Sequence, residues 1–232
     1  MTGRSAPAVL PPLLRVWLWL IAALAALVVV VLGVLYAGHS EPGRLDRWII
    51  QPTADSVRPP WRNVALATDF LGEPAGAAVL VVATVTGCLL LRWPRAAVLI
   101  VAGAGMTVAT TTLLKPLVGR TIHGEGNLSY PSGHTAFLTA FALVVALLAT
   151  GRLGLGRTAG TSLVLAAALV AGAAMGWAQV ALSAHYPTDV LGGWCTALAV
   201  IPATAWLVDR MADRLVDRMA DRMADAGRRE HR

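Results

Sequence analysis

Six apolar stretches alternate with polar connections along the chain. The first, residues 13–37, runs from Leu13 through Trp17, Trp19 and four successive valines to Ala37. It exceeds the roughly 20 apolar residues needed to cross about 30 Å of hydrocarbon, and so predicts a membrane span. Stretches at 76–92, 96–114, 135–150, 160–182 and 189–208 predict five more. Residues 38–75 turn polar, with Arg44, Arg47, Arg58 and Arg62, prolines at 52, 59 and 60, and Trp48 and Trp61 among them. That segment predicts short interfacial helices with the tryptophans at headgroup level. The expected fold is all-α: a polytopic membrane protein of six helices in one bundle.

Composition agrees, because 56% of the residues are apolar and 14% are charged, a balance too greasy for an ordinary soluble domain. The first stretch is too long for a signal-peptide core and is read as a retained span. The net charge of +6 lies partly in the terminal tail rather than in a patch, which argues against nucleic-acid binding. Cys88 and Cys195 fall inside apolar stretches and imply neither a disulfide framework nor a zinc site. Arg4, Arg15, Arg92, Arg95, Arg152 and Arg157 flank one set of span ends, which the positive-inside rule assigns to the cytoplasm. Both termini then lie in the cytoplasm. The expected organisation is a cytoplasmic N-terminus at 1–12, a membrane domain at 13–208 and a charged cytoplasmic tail at 209–232. In the tail Asp209, Asp213, Asp217, Asp221 and Asp225 recur every four residues with an arginine after most of them, a pattern read as a solvated helix.

The candidate chemistry sits in two connections on the opposite face. Lys115 is the only lysine in the chain, placed where the third apolar stretch gives way to a polar loop holding Arg120. That loop closes on Pro131-Ser132-Gly133-His134, directly before the fourth stretch, and helix N-termini hold phosphate well. The second piece, Ser183 to Asp189, places His185 and Asp189 at the mouth of the sixth stretch. Singly, each residue has an ordinary role: interfacial histidines, a snorkelling lysine, Ser132 and Asp189 as helix caps. Jointly they put two imidazoles, a carboxylate and two cations on one face. A carboxylate beside an imidazole fixes its tautomer and stabilises its cation, as a nucleophilic or proton-transferring histidine requires.

Lys115 with Arg120, then PSGH at 131–134, then His185-Tyr186-Pro187-Thr188-Asp189, resembles the three signature motifs of the phosphatidic acid phosphatase type 2 superfamily. The resemblance covers roughly residues 76–208 and fits the integral-membrane branch. The vanadate-dependent haloperoxidases share the motifs and the helical core, but are larger and soluble. The resemblance implies a metal-independent phosphatase, without a cofactor, acting on a lipid phosphate or diphosphate among membrane lipids. His185 would attack phosphorus, Asp189 would orient it, and His134 would protonate the leaving oxygen and then activate water. Lys115, Arg120 and the amides of Ser132 and Gly133 would hold the phosphate oxygens.

The chain departs from the family pattern twice. Where the first motif usually ends in Arg-Pro stand Ile122-His123, and where the third usually carries arginine stands Gln179. Arg120 and Gln179 are then expected to serve as the phosphate donors, with His123 as an auxiliary one, and Gln179→Arg would be expected to raise the rate. An outward-facing site favours a polyprenyl diphosphate of the cell-wall carrier type over a phospholipid monoester. A lipid-linked phosphotransferase, or a homologue that binds lipid phosphate without turnover, is the alternative outcome.

Overall fold

The computed structural model describes residues 8–230. Arg4 and the last two tail residues lie outside them, as do the side chains of 54–56, 223–227 and 229–230, Asp225 among them. A short 3-10 turn, Pro12–Leu14, precedes eight helices: α1 Arg15–Leu35, α2 Arg44–Ser56, α3 Trp61–Phe70, α4 Pro74–Leu90, α5 Pro94–Val118, α6 Gly133–Arg152, α7 Arg157–Ala181 and α8 Pro187–Glu230. The protein is an all-helical membrane bundle. Helices α1, α5, α6, α7 and α8 are each long and apolar enough to span a bilayer. The expected second span is different. Helix α4 has 17 residues, short for about 30 Å at 1.5 Å per residue. It reaches full length only together with α3, across a 61° bend. Part of the segment expected to lie wholly at the interface thus continues a span.

Side chains sort as lipid requires, with large apolar groups outward and small ones between helices. In α1, Leu18, Ala22, Ala25, Val29 and Gly33 are buried at helical spacing, while Leu20, Leu24, Leu27 and Val31 face outward. Helix α7 presents Gly172 and Gly176 to α8. A Cβ on Gly172 would fall 2.2 Å from Cδ1 of Trp194, and one on Gly176 would fall 2.4 Å from Cγ1 of Val190. Glycine at these two places lets α8 seat against α7, and the Trp194 indole N–H donates to the Ala168 carbonyl at 2.8 Å.

The expected division after residue 208 is not a structural boundary. Helix α8 continues unbroken from the bundle into the tail, and Asp209, the first tail residue, is 4% exposed. Its two oxygens accept from the backbone N–H groups of Val9 and Leu10, each at 2.9 Å. Arg95 lies 3.9 Å from it and bonds Asp213 at 2.9 Å. The tail opens as part of the packed bundle because its first aspartate ties down the segment entering α1. Farther along, Met211, Leu215 and Met219 are exposed with the charged rows.

Candidate active site

Chain direction alternates between neighbouring spans, so the ends of α1, α3, α5 and α7 meet the beginnings of α2, α6 and α8 at one end of the bundle. Every motif residue is there. Helix α5 stops at Gly119, whose φ of 64° is the left-handed conformation that closes helices and suits glycine. The chain then turns inward and buries Arg120 completely.

Arg120 has its guanidinium stacked between the rings of Tyr36 and Tyr186, 4.1 and 4.6 Å from their centroids. Its Nη1 donates to Asp189 Oδ1 at 2.7 Å and to the Thr188 hydroxyl at 2.6 Å, and its Nη2 donates to Asp46 Oδ2 at 2.7 Å. Asp46, also fully buried, accepts from the Thr188 N–H at 2.9 Å. Two carboxylates therefore share one cation, and its Nε is buried without a hydrogen-bond partner. The Nη donors that the resemblance assigns to phosphate oxygens are here taken up within the protein. Arg120 fixes the start of α8. Asp189 completes that start: Oδ2 accepts from the Tyr186 N–H at 3.1 Å, the return half of a capping box. Burial raises the Tyr186 phenol above its ordinary range, and its hydroxyl donates to the Ser40 carbonyl at 3.0 Å.

Asp189 Oδ2 also faces His185. The separation from Nδ1 is 3.7 Å, and Nδ1 is buried without a hydrogen-bond partner. That orphaned nitrogen opposite a fixed carboxylate has the arrangement of an orienting pair. Such catalytic bonds are often long before substrate arrives.

His134, the second residue of α6, points elsewhere. Its Nε2 stands 3.7 Å from Oδ1 of Asp69, a residue the motifs do not include. The same oxygen accepts from the Gln179 side-chain amide, which also lies 3.8 Å from the Met175 sulfur. Gln179 is 1% exposed, and its amide is engaged by Asp69. The α3–α4 bend wraps the ring closely, since a Cβ on Gly72 would fall 2.5 Å from His134 Cδ2.

The remaining donors are few. Ser132 caps α6 through its hydroxyl, 3.4 Å from the Thr135 nitrogen, but its own N–H goes to the Asp189 carbonyl at 2.9 Å. It holds α6 to α8 and is not free for a ligand. The N–H groups of Gly133 and His134 open the first turn of α6, where no helical acceptor precedes them. Lys115, half-buried in the last turn of α5, donates to the Leu128 carbonyl at 2.7 Å and keeps two further donors. His123 lies outside this group. It is exposed, and its Nε2 lies 2.6 Å from the Ser183 carbonyl, pinning one loop to the other. Two glycines of α8 allow the crowding. A Cβ on Gly192 would strike the Tyr130 ring at 2.4 Å, and one on Gly193 the Ser132 carbonyl at 2.3 Å. Burial keeps the Tyr130 phenol protonated far above its ordinary range, so it donates to the Val29 carbonyl at 2.7 Å.

A family model described as the PAP2 superfamily matches residues 75–212. The chain belongs to the PAP2 superfamily. The solved structures include a fold match described as the first transmembrane PAP2-type phosphatidylglycerolphosphate phosphatase from Bacillus subtilis, at 20% identity and a TM-score of 0.64. It covers 83% of this chain and 96% of that one. Among curated proteins, none matches in sequence. This chain is thus an integral-membrane member of the superfamily. Asp46 and Asp69 both precede the matched stretch. Sequence reasoning missed them because acids in a polar, arginine-rich segment look like a solvated face. One available signal was that Asp46 lies among Leu45, Trp48 and Ile49, apolar residues that turn outward and leave it inside.

Proposed function

We propose that this PAP2 protein hydrolyses a phosphate monoester carried by a membrane lipid, through a phosphohistidine on His185. The observation that carries the reading is the unpartnered Nδ1 of His185 facing Asp189, a carboxylate locked by Arg120 and the α8 cap. With Nδ1 oriented by Asp189, Nε2 is the nitrogen that attacks phosphorus. The phosphorus–oxygen bond to the lipid breaks, its electron pair stays on the lipid oxygen, and His134 supplies the proton. Water then gives a proton to His134 and attacks phosphorus, the nitrogen–phosphorus bond breaks, and phosphate leaves. Lys115 and the first amides of α6 hold the phosphoryl oxygens, in a reaction that rests mainly on positioning and charge stabilisation.

The charge balance bears on the substrate class. With Arg120 neutralised and Gln179 turned to Asp69, Lys115 is the one basic side chain left to the phosphate, with the Asp69 carboxylate beside His134. A single phosphoryl group suits this better than a diphosphate, which reverses the preference drawn from an outward-facing site. The description of the Bacillus subtilis protein as a phosphatidylglycerolphosphate phosphatase points the same way. The arginines bear on the side of the membrane. Arg92, Arg95, Arg152 and Arg157 lie at the end of the bundle away from the histidines, which under the positive-inside rule supports a site outside the cytoplasm. The test is phosphate release by purified protein in detergent with EDTA, comparing phosphatidylglycerophosphate, phosphatidate and undecaprenyl diphosphate. Release from a monoester that survives EDTA and vanishes in His185→Ala is expected. Release from the diphosphate alone would overturn the substrate class.

A further inference from the structure

Beyond the motif residues, the geometry points to Asp69 as a positioning residue for His134, forming a second imidazole–carboxylate pair that controls the proton given to the leaving oxygen. Three observations converge on it. Asp69 Oδ1 lies 3.7 Å from His134 Nε2, within ion-pair range, and a ring movement of under about 1 Å would close it to a hydrogen bond. The carboxylate cannot wander, because the buried Gln179 amide holds the same oxygen. The ring cannot wander either, because Gly72 comes so close that no side chain fits between. The other charged groups facing His134 are Glu73 on the same bend, His185 and Lys115.

In chemical terms, a carboxylate on one imidazole nitrogen stabilises the protonated ring and leaves the other nitrogen for the reacting oxygen. In the first half-reaction that oxygen belongs to an alkyl alcohol, a poor leaving group that needs the proton. The pair also gives Gln179 a purpose. An arginine at 179 would compete with His134 for Asp69, whereas a neutral amide orients the carboxylate and leaves its charge to the histidine. The first arm of the test rests on the phosphatase reading, and the second does not.

In the first arm, kcat/KM is measured for a lipid alkyl phosphate and for p-nitrophenyl phosphate, whose leaving group needs little protonation. Asp69→Asn is expected to lower the alkyl value about 30-fold and the aryl value less than about threefold, and Asp69→Glu to recover most of the loss. Equal losses on both substrates, or a gain on both, would overturn the assignment. In the second arm, diethyl pyrocarbonate modification of His134 at pH 6.5 is followed by peptide mass spectrometry, with no substrate present. The carboxylate covers Nε2 and favours the protonated ring, which the reagent does not attack, so Asp69→Asn should raise the modification rate by up to about twofold. An unchanged rate sinks the proposal. If wild-type protein hydrolyses neither phosphate, the phosphatase reading fails while the modification rate still decides whether Asp69 governs His134.

Discussion

Helix α8 carries two buried aspartates near the two faces of the bundle. Asp189 and Asp209 are twenty residues apart, about 30 Å along a helix. Asp209 is saturated by two backbone N–H groups and the nearby Arg95. Asp189 is held as firmly by Arg120 and its cap, yet one oxygen also faces an imidazole nitrogen that has no partner. A buried charge whose partners are complete is structural. One that holds still while a neighbour stays unsatisfied is poised to act on something else. Burial alone would not separate them, since Asp189 is 0% and Asp209 4% exposed.

The largest effect should come from the unsatisfied neighbour. His185→Ala should lower phosphate release at least about a thousandfold without moving the thermal transition, and retained turnover would erase the distinction between the two ends. Next comes the shared cation. Arg120→Ala leaves Asp46 and Asp189 buried without their counter-charge and should cost about 3–5 kcal/mol of stability, read by unfolding in detergent. A loss of activity with unchanged stability would instead return Arg120 to the phosphate. At the far end, Asp209→Ala should cost about 1–3 kcal/mol while turnover per folded molecule stays within about twofold. A collapse of turnover there would mean that the two aspartates are not independent. The smallest effect concerns Gln179→Arg. The motif comparison expects a gain, but Asp69 would take the new guanidinium, so phosphate release should change by less than about fivefold. A large gain would show that the arginine reaches phosphate past Asp69.

The sequence carried the framework well, because a span must supply about 20 apolar residues whatever else it does. Five of the six stretches became unbroken helices of spanning length. The bent α3–α4 pair was less legible, since residues 61–70 are polar enough to pass for an interfacial helix and they pack chiefly against α7, Ala65 on Ala178 and Trp61 on Trp177. The histidines and Asp189 were legible from spacing in their motifs. The partners of Arg120, Ser132 and Gln179 were not, because a donor's partner depends on which way its side chain turns. Each of these three lies near Lys115 or His134 along the chain or in the motif pattern, yet each donates to another part of the protein. Asp46 and Asp69 were invisible for the complementary reason. Their segment resembles no motif, and only tertiary packing carries them inside.

Asp46 also says where this enzyme can be divided. It comes from a helix that begins 31 residues before the family-matched stretch, yet it shares one guanidinium with Asp189, the carboxylate that faces His185. A fragment starting at residue 75 would keep every motif and still carry a buried arginine stripped of half its counter-charge. The matched stretch is therefore not an interchangeable cassette. Grafting it onto another leader would require that leader to bring its own acid to the same place.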